Sequence, residues 1–263
     1  MGVLLVECKL IHGDCIEEMQ KLIDEGVKVD LILTDPPYGV SSCNWDSIVP
    51  YGKMWDRLYS ITYETSPILL FSNDKWGGAL KMSNDDYKYQ WVWNKEFSSN
   101  FMQAKKTPLI PLEYINVFYR KQPTYNPQKR PKTINYDATR ISESDKKTKV
   151  NHDDAIYGTA YHRRYYEDDG FRMPINLLTF NSQAEECNNA NRLHPFQKPI
   201  RLLEYLIKTY TNENDTVLDF TMGSGSTGVA CLQTHRNFIG IELEEKYYNI
   251  AKERCKTYQT KLW

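Results

Sequence analysis

The chain has 263 residues, of which 41% are hydrophobic and 25% charged, with a formal net charge of −1. Those values exclude a disordered chain and a small scaffold that depends on disulfides. The near-zero charge also excludes a uniformly basic surface, so any contact with a polyanion must come from a local patch. Cys8, Cys15, Cys43, Cys187, Cys231 and Cys255 form no paired zinc spacing. They read as reduced thiols, and no metal is expected. No leader-like start and no run of membrane-spanning length is visible, so a soluble, cytoplasmic chain without a membrane partner is expected.

In chain order, Lys9 to His12 reads as a strand ended by Gly13-Asp14. A helix is expected from Cys15 to Gly26, with Ile16, Met19, Leu22 and Ile23 on one side. Val29 to Leu33 is nearly continuous apolar sequence, the mark of a buried parallel strand. Pro36-Pro37 cannot extend a ladder, so the chain must turn there. Residues 39 to 55 are loop-like, and a helix is expected over 51 to 64. Strands are expected at Pro67–Phe71, Gln90–Trp93 and Tyr114–Tyr119. From Arg120 to Arg172 prolines, asparagines and basic residues replace the strand pattern, with twelve Lys/Arg against eight Asp/Glu. This reads as an irregular insertion with a polar face. Order returns at Gln197. Pro199 suits a helix start, and Ile200, Leu203, Leu206, Ile207 and Tyr210 form an apolar stripe. A strand at Thr216–Asp219, a helix at 226 to 234, a strand at Phe238–Glu242 and a helix over about 244 to 258 complete the pattern. Alternating strands and helices of this kind imply a doubly wound sheet.

Two segments carry chemistry. One is Asp35-Pro36-Pro37-Tyr38 at the end of an apolar strand. The other is Asp219-Phe220-Thr221-Met222-Gly223-Ser224-Gly225, between a strand and a helix. Glycines there allow close backbone approach to a ligand, and the helix start offers unpaired N–H groups. The loop lacks the Lys-Ser/Thr ending of a triphosphate site. Gly223, Gly225 and Gly228 do match dinucleotide spacing, so the glycines alone do not choose the cofactor, and a nicotinamide dehydrogenase stays open at this point. Glu242, ending the next strand, can accept hydrogen bonds from ribose hydroxyls. The bland alternative is an acid beside a helix dipole.

Taken together, the motifs resemble those of DNA amino-methyltransferases in the β arrangement, where Asp-Pro-Pro-Tyr precedes the cofactor motif. The resemblance covers about residues 10 to 120 and 194 to 258. It includes His12-Gly13-Asp14, Asp35 to Tyr38, Glu113 to Phe118, His194 to Pro199, Asp219 to Gly225 and Ile239 to Glu242. It implies an α/β Rossmann-like methyltransferase fold: a circularly permuted, seven-stranded mixed sheet with helices on both faces. It implies S-adenosylmethionine as cofactor, leaving S-adenosylhomocysteine. Asp14, Asp35, His194, Phe196, Lys198, Asp219, Met222, Gly223, Gly225, Ser226 and Glu242 are then the candidate cofactor residues. Asp14 would lie near the adenine amine and Glu242 on the ribose. The family has alanine or threonine more often than Phe196 at that position. Residues 1–119 and 194–263 become the catalytic domain, and 120–193 a target-recognition insertion.

The resemblance implies methyl transfer from the cofactor to an amine of double-stranded DNA. The partners it suggests are a second copy of the chain and a cognate restriction enzyme, in a prokaryotic or virus-infected cell. A conjugated amine is a poor nucleophile, so alignment and charge relief at nitrogen matter more than a covalent intermediate. Asp35 and the Pro36 carbonyl can accept the two amine hydrogens, Pro37 completes the turn, and Tyr38 can stack on an extruded base. Adenine N6 is the expected target, because Asp at the first motif position is commoner for adenine and Ser for cytosine. Cytosine N4 and a non-catalytic DNA-binding module remain alternatives. Trp45, Lys129, Arg130, Lys132, Arg140, Arg163 and Arg164 are the candidates for DNA contact.

Overall fold

Short apolar runs flanked by turn residues assemble into one large sheet. The computed structural model describes residues 6–39, 48–98, 100–131, 170–183 and 192–261. The strands are β1 (Cys8–His12), β2 (Leu31–Thr34), β3 (Ile68–Ser72), β4 (Tyr87–Asn94), β5 (Leu112–Phe118), β6 (Arg130–Pro131), β7 (Phe171–Arg172), β8 (Leu177–Thr179), β9 (Thr216–Asp219) and β10 (Asn237–Glu242). The helices are α1 (Cys15–Asp24), α2 (Tyr51–Ile61), α3 (Asp74–Met82), α4 (Ile200–Tyr210), α5 (Ser226–Gln233) and α6 (Glu245–Lys261), with a 3₁₀ turn at Phe101–Gln103.

The main sheet runs β1-β10-β9-β2-β3-β5-β4-β8. From β1 to β3 all neighbours are parallel, whereas β5 is antiparallel to both β3 and β4. All four residues of β2 and all five of β3 are buried, as expected where helices cover both faces. Alternation divides the sheet between two cores. Leu31, Leu33, Leu69 and Phe71 pack with Leu203, Leu206, Ile207, Val229 and Ala251 on the side of α4, α5 and α6. Ile32 and Leu70 pack with Met19, Leu22, Met54, Trp55, Leu58 and Trp76 on the side of α1, α2 and α3.

The expected seven-stranded sheet has eight strands among the described residues. The seven expected strands are present, and β8 adds an edge, with Leu177, Leu178 and Thr179 parallel to Val92, Trp93 and Asn94. These three residues fall inside the segment read from sequence as insertion. Leu178, buried against the core, draws them into the sheet. By its internal contacts the chain divides into a unit of 1–126 with 175–263, and a second unit, Pro127–Pro174. The described part of the second unit pairs Arg130 with Arg172 and Pro131 with Phe171, antiparallel.

Helix α1 ends at Asp24 and α2 at Ile61, shorter than their patterns suggest. Helix α3 is absent from the sequence reading, because Gly77-Gly78 lowers its helical propensity. It forms because Asn73 caps it by accepting from the Trp76 N–H at 2.8 Å. Gly77 suits the position, since a Cβ there would lie 2.5 Å from Ser72 Oγ.

Candidate active site

The connections after β9 and after β2 depart in opposite directions, β9 to β10 on one side and β2 to β3 on the other. A cleft opens beyond the carboxyl ends of strands where the order reverses in this way. Both motif segments sit there. Two threonines staple them together. Thr34 Oγ1 donates to Asp219 Oδ1 at 2.7 Å and lies 2.7 Å from Thr221 Oγ1. Thr221 Oγ1 donates to the Asp35 carbonyl at 3.2 Å.

One cavity is lined by both segments. Its walls include Asp14, Asp35, Pro36, Pro37, Tyr38, His194, Phe196, Lys198, Asp219, Met222, Gly223, Ser226 and Glu242. All four candidate catalytic residues and nearly all the candidate cofactor residues are thus brought together. Gly225 is the exception and does not line it. With φ +78° it starts α5, and a Cβ there would lie 2.8 Å from the Ala251 Cβ, so it serves the approach of α5 to α6. Asp14 reaches the cavity but is committed to capping α1, accepting from the Ile16 and Glu17 N–H groups at 2.9 and 3.1 Å. Phe196 stands on the rim, half exposed.

Asp219 is almost wholly buried. Its oxygens accept from Thr34 and Thr227 hydroxyls and from the Thr221 N–H, at 2.7, 2.6 and 3.2 Å. Every donor is neutral. Burial therefore pushes its carboxyl up to about 6 despite three hydrogen bonds. Glu242 is fixed by backbone donors, Gly223 N–H at 2.8 Å on one oxygen and Glu244 N–H at 2.9 Å on the other. Lone pairs on both oxygens remain for further donors. Burial raises its carboxyl too.

Asp35 is held differently. Tyr38 donates its hydroxyl to Oδ1 and Lys198 its ammonium to Oδ2. Lys198, expected beside the cofactor, lines the cavity and directs its ammonium at Asp35. Its side chain is only 11% exposed, too little for water to solvate the ammonium in place of a carboxylate. Lys198 also lies 3.6 Å from Glu113 Oε2, and Glu113 Oε1 accepts from Lys95 at 2.9 Å. A row of alternating charges results: Asp35, Lys198, Glu113, Lys95. Burial alone would lower Lys198, but Asp35 and Glu113 overcome it and hold the lysine above its ordinary value. Burial raises Asp35 in spite of Lys198. Glu113, flanked by two ammoniums, ends below its ordinary value although burial opposes this.

His194 is driven down to about 4, first by burial and then by Lys198 and Lys246, so the ring is neutral at physiological pH. Its Nδ1 accepts from the Phe196 N–H at 3.2 Å, which puts the proton on Nε2. The ring stands edge-on to Tyr247 at 4.2 Å. Tyr38 packs at 5.0 Å from Trp76, which lies 6.0 Å from Tyr51.

Thr34, Lys95 and Trp76 carried no signal in the sequence, and Thr221 and Thr227 stood only within the glycine-rich stretch, without a role. Glu113 entered only as part of a motif. No local signal marks the Thr34 hydroxyl, which meets a carboxylate 185 positions away. Of the DNA candidates, Trp45, Lys132, Arg140, Arg163 and Arg164 lie outside the described residues. Lys129 and Arg130 belong to the second unit.

A family model described as a DNA methylase, of the N6/N4 methyltransferase type, matches residues 29–253. The chain belongs to that family. It is an S-adenosylmethionine-dependent DNA amino-methyltransferase. A type II methyltransferase of Lactococcus lactis subsp. cremoris, M2.LlaDCHI, is 51% identical over 93% of this chain and 88% of its own. The DNA adenine methyltransferase YhdJ of Escherichia coli (strain K12) is 27% identical over 93% and 81%. Among solved structures, the M1.HpyAVI–SAM complex superposes with a TM-score of 0.61 at 22% identity, over 94% of this chain and 98% of that one. That likeness concerns the fold. The cavity itself fits the cofactor. It joins the glycine-rich loop to Asp35, presents two anchored carboxylates, and mixes them with apolar walls from Met222 and Leu243.

Proposed function

We propose that this enzyme methylates the N6 amine of adenine within a specific DNA sequence, by extruding the base and transferring the methyl group directly. The observation that carries the reading is Asp35 beside Pro36 in the same cavity as Asp219 and Glu242. Bound S-adenosylmethionine supplies a methyl group already activated as a sulfonium. The chain's work is to hold and to align.

Glu242 accepts the ribose hydroxyls with the lone pairs left by Gly223 and Glu244. Asp219 faces the ammonium of the methionine end. Asp35 accepts one amine hydrogen and the Pro36 carbonyl the other, drawing nitrogen toward tetrahedral geometry as positive charge develops on it. Tyr38, braced by Trp76, flanks the base. His194, neutral, closes the cofactor side without adding charge.

For DNA, the reading draws on the β4–β5 loop as well as the second unit. Asn94 pairs with Leu112, and Ser72 with Tyr114, so that loop leaves the sheet at the edge bearing Asp35. It exposes Phe101 and Met102 and carries Lys105 and Lys106. Apolar side chains beside lysines suit a surface that meets bases and phosphates together. Target recognition is assigned to the insertion, with Lys129 and Arg130 as phosphate contacts and Trp45 covering the extruded base.

Adenine is favoured over cytosine by Asp at the first motif position and by the adenine-specific name of one relative. Mass spectrometry of nucleosides from DNA treated with enzyme and cofactor tests this. N6-methyladenine is expected, N4-methylcytosine would move the target to cytosine, and neither product would end the DNA reading.

A further inference from the structure

Both oxygens of Asp35 already have partners, Tyr38 and Lys198. An ammonium there draws electron density from the carboxylate just where an amine must be held. It also repels the positive charge that grows on the amine nitrogen during transfer. Catalysis would gain if Lys198 drew back at that moment. Beside it, Glu113 Oε2 is buried with no hydrogen-bond partner, 3.6 Å from the lysine nitrogen. Normal hydrogen-bond length requires an approach of about 0.7 Å, within reach of a flexible lysine stem. Lys95 holds the other oxygen at 2.9 Å, so the empty lone pair keeps its orientation. The row of two carboxylates and two ammoniums sums to zero charge, so moving the ammonium from one acid to the other leaves no net charge uncovered.

We propose that Glu113 is a positioning residue that takes the Lys198 ammonium from Asp35 when the target amine arrives, leaving Asp35 to accept the amine hydrogen. The proposal rests on the reading of Asp35 as the amine's acceptor and holds for adenine or cytosine alike. Lys198 is a two-position cation, and Glu113 is its second seat.

The test is single-turnover methyl transfer by the full chain, with cofactor and DNA affinities measured alongside. Glu113→Gln keeps the shape and an acceptor for Lys95 but removes the charge that draws Lys198. The expected result is a transfer rate lower by about tenfold or more, with both affinities within about twofold. Glu113→Asp, which keeps the charge, recovers part of the rate. Adding Glu113→Gln to Lys198→Met leaves the Lys198→Met rate unchanged, because Glu113 acts through that lysine. A full rate in Glu113→Gln, or independent multiplication of the two effects, overturns the proposal. Should Glu113→Gln fail to fold, Glu113→Ser takes its place, and a full transfer rate there overturns the proposal. Asp35→Ala, run in parallel, separates the premises. Methyl transfer surviving that change removes the reading of Asp35 and the inference with it. Its loss, beside an unimpaired Glu113→Gln, removes only the role of Glu113.

Discussion

Asp35 and Asp219 stand at the ends of neighbouring strands, β2 and β9, yet each is satisfied in its own way. Asp219 is enclosed by two hydroxyls and one backbone N–H, all neutral and all fixed by the fold. Asp35 is met by a lysine and a tyrosine, both through the tips of long side chains. Neutral partners leave a buried charge short of compensation, which is why Asp219 rises to about 6. A cation compensates more fully, but its attachment must be undone before a substrate can replace it. Under the exchange proposed for Lys198, the contrast separates a carboxylate built to stay in place from one built to change partners.

The largest effect that would test this contrast is Asp35→Ala. Methyl transfer should fall by about a thousandfold or more, with cofactor affinity nearly unchanged. Equal loss of both, in a rate assay paired with calorimetry, would erase the division between the two acids. Asp219→Ala should do the reverse, weakening the cofactor by about 10- to 100-fold, since a charged pair in a buried site contributes about 1.5–3 kcal/mol.

Acidity sharpens the comparison further. Because the folded value of Asp219 lies above its ordinary 3.8, its protonated form favours the fold. That contribution is complete below about 4 and disappears as pH rises through about 6, amounting to about 3 kcal/mol. Asp219→Asn should therefore flatten this part of the stability–pH curve in denaturant titrations. Cofactor affinity should run the opposite way, weakening as pH falls through about 6, where the carboxylate is neutralised. Affinity constant from pH 7 to 5 would show that Asp219 meets no positive group.

The smallest expected effect lies away from both acids. Removing the charges of Lys105 and Lys106 should weaken DNA binding several-fold at low salt and flatten its salt dependence, leaving cofactor affinity alone. DNA affinity that ignores both lysines would remove the β4–β5 loop from the interface.

Much of this arrangement could be read from residues alone, and the reason is local. Leu31 to Thr34 and Ile68 to Ser72 are buried on both faces, so the strands announce themselves as unbroken apolar runs. The stripe on α4 likewise buries Ile200, Leu203, Leu206, Ile207 and Tyr210 as expected. Elements held by one long-range contact were not legible. Strand β8 depends on Leu178 meeting the core, and α3 on an Asn73 cap that outweighs two glycines. At the site, the strand-end acids were identifiable from the motifs. Their partners were not: Thr34 is an ordinary residue until the sheet brings it to Asp219, and Thr221 and Thr227 gain their role only when the loop after β9 folds back on that carboxylate. Lys198 shows the same limit from the other side. Its segment pointed to the cofactor, and only packing revealed Asp35 and Glu113 on either side of it.

The strand order carries a consequence for how the molecule is made. Strands β10 and β9 lie between β1 and β2, although they emerge from the ribosome some two hundred residues later. Until then β1 and β2 each present a bare hydrogen-bonding edge, and β1 has no neighbour at all. The nascent enzyme must shelter those edges through most of its synthesis, and closure waits for strands in about the last fifth of the chain to thread between them. A ribosome stalled before Thr216 would hold a product with six of the main sheet's eight described strands made, β1 unpaired, and an open invitation to aggregate.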